Sequence, residues 1–102
     1  RYNPNYAHAL NNLASVYGVF GQGSTEAASK DPANAEKHRK DALDNFQTAI
    51  VYFLKSIEVD PEFVEPYRLA AVTYRNIGDI PNAEKYESLA AKVAREKKNA
   101  QN

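Results

Sequence analysis

Residues 3–21 read NPNYAHALNNLASVYGVFG, and residues 60–78 read DPEFVEPYRLAAVTYRNIG. Both stretches open on an amide or acidic residue followed by Pro, and both close on Gly. Pro4 matches Pro61, Leu10 matches Tyr67, Ala14 matches Ala71, Tyr17 matches Tyr74 and Gly21 matches Gly78. Leu10, Leu13, Ala14, Tyr17 and Phe20 recur at three- and four-residue steps, as do Phe63, Tyr67, Ala70, Ala71 and Tyr74. That spacing places them on one face of a helix. A Pro at the mouth costs no hydrogen bond, and a Gly past the last turn ends the helix. The pattern predicts helices over 5–20 and 62–77. Pro66 is tolerated because it falls in the first turn.

The stretches that follow also align. Residues 49–61 read AIVYFLKSIEVDP and residues 83–95 read AEKYESLAAKVAR. Ala49 matches Ala83, Tyr52 matches Tyr86 and Ser56 matches Ala90. The first lies in a helix expected over 33–59, whose apolar stripe is Ala42, Phe46, Ala49, Ile50, Phe53 and Ile57. Asp31 is its expected N-cap and Pro32 its first residue. The second lies in a helix expected over 81–98, with Ala83, Tyr86, Leu89, Ala90 and Val93 facing inward. Its polar last turns, AREKKNAQN, are expected to fray. Between Gly21 and Ala33 the sequence GQGSTEAASKDPA is small, polar and Gly/Ser-rich, which predicts a loop. Beyond that loop AEKHRKD is polar on every side, so the first turns of the second helix are expected to stand in solvent.

With these positions in hand, the chain resembles the tetratricopeptide-repeat (TPR) family. The family pattern of a large residue, a Leu-small pair and an aromatic reads here as Leu10, Leu13-Ala14 and Tyr17. Its second helix reads as Ala49, Phe53, Ser56 and Pro61. The second copy reads Tyr67, Ala70-Ala71, Tyr74, Ala83 and Ala90. The small residues Ala14, Ala49, Ala71 and Ala83 let two helices approach, while Tyr17 and Tyr74 fill the gap between neighbouring hairpins. The resemblance implies an all-α fold of antiparallel helix hairpins, a TPR-like α-solenoid fragment of about four helices. The expected layout is a single domain over 1–102. Repeat one spans about 4–60 with an insert at about 22–45, repeat two spans about 61–95, and a polar tail occupies 96–102. Three features depart from the family. They are the insert, Glu87 where an aromatic is usual, and two copies where solenoids usually have three or more. Glu87 predicts shallower packing of the last helix.

The chain of 102 residues carries 13 basic and 13 acidic residues, a formal net charge of zero. No basic excess points to nucleic acid, and no apolar run is long enough for a membrane span or a secretory leader. With no cysteine there is no disulfide or thiolate chemistry, and the compartment, cytoplasmic or periplasmic, stays open. The chain opens on Arg1 and has no Met, which suggests a domain excised from a longer protein. His8 and His38 lie on separate helices without metal-ligand spacing and are expected to be solvated. Lys37–Lys40 forms the densest basic cluster, but Glu36, Asp41 and Asp44 flank it, so it reads as a solvated helix face. None of the nucleotide-binding, metalloprotease or serine-nucleophile motifs occurs. The expectation is therefore no enzyme, no metal and no cofactor.

What the resemblance implies for function is a protein-interaction module or scaffold. A peptide or partner helix would lie in a concave groove lined by the first helices of the repeats. By position, that groove would show Asn11, Asn12, Ser15 and Gly18 from the first copy. The second copy would contribute Glu65, Arg68, Val72, Arg75 and Asn76. Amides at Asn11 and Asn12 can both donate to and accept from a peptide backbone, and Arg68 and Arg75 can grip a carboxylate with two bonds. The Lys/Asn/Arg set of chaperone-binding TPR domains is mostly replaced here, by Asn11, Ser15 and Val72. Two alternatives accompany the groove. One is a homodimer through the N-terminal helix, whose Tyr2, Tyr6, Leu10, Leu13 and Phe20 exceed what the second helix can cover. The other is a non-catalytic TPR tail of a larger bacterial enzyme, such as a membrane glycosyltransferase.

Overall fold

The computed structural model describes residues 4–101, and they are all-α: four helices and no strand. Helix α1 runs Pro4–Lys30, α2 Ala35–Val59, α3 Glu65–Asn76 and α4 Ile80–Gln101. A single 3₁₀ turn, Pro32–Asn34, joins α1 to α2. The helices form two antiparallel hairpins: α1 lies along α2, α3 lies along α4, and the second hairpin docks through α3 onto α2. None of the described helices is long and apolar enough to cross a membrane. Tyr2 of the expected N-terminal apolar row lies outside the described residues.

The largest departure from the sequence reading lies between residues 21 and 33. The expected loop is helix as far as Lys30, and α1 has 27 residues, about 40 Å at 1.5 Å per residue. Gly18, Gly21 and Gly23, expected to bring the helix to an end, do not end it. Gly21 is buried against Phe46 of α2, where a side chain would not fit. Ser24, Ala27 and Ala28 continue that side of the helix and are half-buried. These small residues let α2 run close beside α1. Packing thus supplies what the local propensities lack, since most helix stability in proteins comes from tertiary contact. The first turns of α2 consequently do not stand alone in solvent. They pair with the extension of α1, with Ala42 buried and Ala35 and His38 half-buried. The paired extensions stretch the molecule to 56 × 25 × 16 Å. Its radius of gyration of 15.1 Å exceeds the ~13 Å expected of a compact chain this long.

The second hairpin follows the sequence reading more closely. Pro66 sits in the first turn of α3 and is fully buried. Gly78, with φ of 82°, ends α3. Its N–H donates to the Arg75 carbonyl (3.0 Å), and the Asp79 N–H reaches back to the Tyr74 carbonyl (2.9 Å). This pair of bonds is a Schellman cap, and the left-handed backbone at Gly78 is what makes it affordable. Asp79 then caps α4, its carboxylate accepting from the Asn82 N–H at 3.2 Å. At the other end α4 is helical to Gln101, and residues 95–100 are exposed.

The centre of the core is Ala14, Ala49, Phe53 and Ala70, with Tyr17, Tyr52, Leu69, Tyr74 and Tyr86 packed around it. The expected small contact residues Ala14, Ala49, Ala71 and Ala83 are all buried. Across the first hairpin, the Ser56 hydroxyl donates to the Ala7 carbonyl at 2.8 Å. Each hairpin carries the same aromatic stack. Tyr17 lies over Tyr52 with centroids 6.0 Å apart, and Tyr74 lies over Tyr86 at 5.5 Å. Helix α4 packs lightly, as Glu87 predicted: Ala83 and Ala90 are buried, while Tyr86, Leu89 and Val93 are half-buried.

Candidate functional site

Helices α1 and α3 run side by side with a shallow groove between them. Its walls are Ser15, Gly18, Val19 and Gln22 on α1 and Leu69, Val72, Thr73 and Asn76 on α3, and Phe46 and Phe53 of α2 form the floor. The hollow holds about 190 Å³. A second hollow of about 240 Å³ adjoins it along α1, sharing Gln22, Phe46 and Asn76 and adding Thr25, Glu26 and Ser29. Each is smaller than the ~300–1,000 Å³ usual for a small-molecule pocket. The floor is aromatic and aliphatic, and the rim offers the amides of Gln22 and Asn76.

Of the residues expected in a groove, Ser15, Val72 and Asn76 meet here, together with Gly18. Ser15 has spent its hydroxyl proton on the Asn11 carbonyl at 3.0 Å. Asn11 itself is 6% exposed. Its side-chain oxygen is buried and has no hydrogen-bond partner among the described residues. A ligand in the groove has no path to that oxygen in this conformation. Asn12, one residue round the helix, is exposed.

The two arginines are placed elsewhere. Arg68 lines a separate groove between α3 and α4, with Ala71, Val72, Glu87, Ala90 and Ala91. Arg75 is tied to Glu87 by two parallel bonds, Nε–Oε2 at 2.6 Å and Nη2–Oε1 at 2.8 Å. The hydrogen bond from Arg75 holds the Glu87 carboxyl below the usual carboxylate range, and the same bond raises Arg75. The residue that departs from the repeat pattern has thus taken an arginine as its partner.

Val19, Gln22 and Phe46 line the groove without being among the residues the sequence places there. The expected loop at 21–33 removed Gln22 from any helix, and Phe46 counted as core. Helical spacing continued from Ser15 reaches Val19 and Gln22, whereas Phe46 reaches the groove only through the packing of α2.

Other charged and aromatic groups serve the fold. His8 is exposed, as expected, and stacks on Phe63 with centroids 4.1 Å apart. His38 Nε2 lies 3.2 Å from Asp31 Oδ2. The side-chain bond from Asn34, and then that from His38, draws the Asp31 carboxyl below its ordinary value. Asp31 does not use its side chain to cap the 3₁₀ turn. Burial raises Tyr67 and Tyr74, and the Tyr67 hydroxyl donates to the Pro61 carbonyl at 2.7 Å. Among the described residues no cluster of His, Asp and Glu is arranged to hold a metal ion. A broader hollow of about 560 Å³ lies between the α2–α3 turn and α4. Lys92, Lys97, Glu62 and Glu96 line it with charges of both signs.

No family model, curated protein or solved structure matches the chain.

Proposed function

We propose that the chain is a binding module of tetratricopeptide type, which takes an extended peptide or partner helix in the groove between α1 and α3. The observation that carries this reading is the repetition of one hairpin in side-chain detail. Tyr17 on Tyr52 and Tyr74 on Tyr86 are the same stack at matching positions. The groove lies between the first helices of the two hairpins. Its chemistry favours a partner segment with an apolar anchor side chain flanked by backbone for Gln22 and Asn76 to bond. Arg75 is committed to Glu87, so the groove does not select for an acidic terminus. The module has no catalytic part in this reading.

A phage-displayed library of random peptides tests it. Peptides enriched on the wild-type protein should carry an aliphatic or aromatic anchor. They should lose affinity by about tenfold or more against Val72→Asp, a loss worth about 1.4 kcal/mol. Val72 is half exposed, so the variant keeps its thermal stability. Peptides that bind Val72→Asp and Asn76→Ala as well as wild type would place recognition outside the groove.

A second reading is association of copies of the chain through α1. Leu13, Val16 and Phe20 support it, three apolar residues on one side of the helix, each at least 40% exposed.

A further inference from the structure

The two hairpins share a register, so each position in one has a counterpart in the other. Ala9, Leu13 and Val16 of α1 correspond to Pro66, Ala70 and Thr73 of α3. In α3 these positions form the face that docks on the first hairpin. Pro66 is fully buried, Ala70 is 0% exposed and Thr73 5%. Ala70 seats against Ala14, Ala49 and Phe53. Thr73 turns its hydroxyl onto the Leu69 carbonyl at 2.7 Å, which satisfies its polar atom within α3. In α1 the same positions are open: Leu13 is 40% exposed, Val16 46%, and Ala9 is exposed.

The receiving surface repeats as well. Ala14 and Phe53, which meet Ala70 in the first hairpin's seat, correspond to Ala71 and Glu87 in the second. There they line the open α3–α4 groove of about 400 Å³, with Ala90, Ala91 and Arg68 beside them. The molecule therefore contains one docked interface of this kind and exposes both halves of it again, the docking face on α1 and the seat between α3 and α4.

The sizes are complementary. In the internal interface a small docking residue, Ala70, meets a large seat residue, Phe53. In the exposed halves the order is reversed. The docking residues are Leu13 and Val16, and the seat is built from Ala71, Ala90 and Ala91, with the Glu87 carboxylate fastened to Arg75. Protein interiors tolerate such volume-conserving exchanges where they resist added bulk.

We infer that this chain associates head to tail with itself, the Leu13–Val16 face of α1 in one copy seating in the α3–α4 groove of the next and continuing the internal stacking. The inference rests on the reading of α1 as a self-association face and adds the surface that receives it. A contact between two different surfaces does not close on itself, so it builds open chains rather than a symmetric dimer. Each junction would also place α3 of one copy beside α1 of the next, adding another groove of the kind between α1 and α3.

Analytical ultracentrifugation with complementing variants tests this. Wild-type protein should show a mass that rises with concentration and passes beyond the dimer. Leu13→Glu blocks the docking face and Ala91→Arg blocks the seat. Both sites are exposed, and circular dichroism should show wild-type helicity in each. Each variant alone should be monomeric, while an equimolar mixture should form a dimer and stop there, because one good face and one good seat remain. Loss of association in Leu13→Glu with full association in Ala91→Arg would overturn the head-to-tail arrangement and leave an α1-to-α1 dimer. A wild type that stays monomeric, or association that survives Leu13→Glu, would overturn both and leave the α1 face to a hairpin of another chain.

Discussion

Gly21 lies directly under the ring of Phe46: a methyl group built on its Cα would stand 2.6 Å from two of the ring carbons. The contact joins the middle of α1 to α2 at the point where the sequence suggests that α1 should stop. Gly21 is kept helical by what covers it, and the absence of its side chain lets α2 lie so close.

Gly21→Ala is therefore expected to destabilise. Alanine gains up to ~1 kcal/mol in helix propensity over glycine. Forcing a methyl into the Phe46 ring costs about 1–3 kcal/mol of overpacking. Gly23, two residues on, is exposed, and an added Cβ there meets no atom within 4 Å. Gly23→Ala keeps the propensity gain without the clash and should raise Tm by a few degrees in a chain this size. Thermal denaturation of the two variants should give shifts of opposite sign. A rise for both would mean that α1 and α2 are not in contact at this level.

Ser56→Ala should cost about 1 kcal/mol, the net worth of one buried hydrogen bond, here the one to the Ala7 carbonyl. The loss is limited because alanine fits: Ala90 occupies the matching position in the second hairpin. Ser56→Leu adds bulk at a site with 0% exposure and should cost more. Urea unfolding midpoints should order wild type, then Ser56→Ala, then Ser56→Leu. Equal midpoints for wild type and Ser56→Ala would remove the bond from the account of α1–α2 pairing.

The Arg75–Glu87 pair predicts a pH-dependent difference between wild type and Glu87→Gln. The folded-state pKa of Glu87 is lowered, first by the hydrogen bond from Arg75. Its contribution is thus complete above the ordinary glutamate pKa of about 4.3. It is lost as pH falls through the lower folded-state value. Both groups are solvent-exposed, so the stability difference at neutral pH should be small and should shrink further in high salt. Melting curves of the two proteins should converge below that window. A gap that widens on acidification would contradict the pairing.

Much of the fold is legible residue by residue. Gly78 marks the end of α3, although the helix starts at Glu65 rather than at the expected 62, and the three- and four-residue spacing of Tyr67, Ala70, Ala71 and Tyr74 gives its inner face. Glu87 announces the looser packing of α4. The end of α1 is the failure. Gly21, Gly23 and Ser24 carry the composition of a loop, and local propensity cannot register that Phe46 and Ala42 lie across from them. A trace of the true state was present, since Gly21, Ser24 and Ala28 are small residues at helical spacing. The candidate groove was legible in part. Ser15, Val72 and Asn76, placed in a groove by the family resemblance, line one hollow, whereas Gln22 of the same hollow falls in the expected loop. The Arg75 side chain was unpredictable because its partner lies on another helix.

The sequence by itself determined an all-α chain whose two halves carry matching Pro, Ala, Tyr and Gly positions. Proline entry, glycine exit and apolar spacing act over a few residues and need no distant partner. Only the tertiary structure decided how far α1 runs, which arginine is committed, and which apolar residues stay open. Each of those depends on a contact between residues far apart in the chain: Gly21 with Phe46, Arg75 with Glu87, and Ala70 with the seat whose counterpart in the second hairpin is left unfilled.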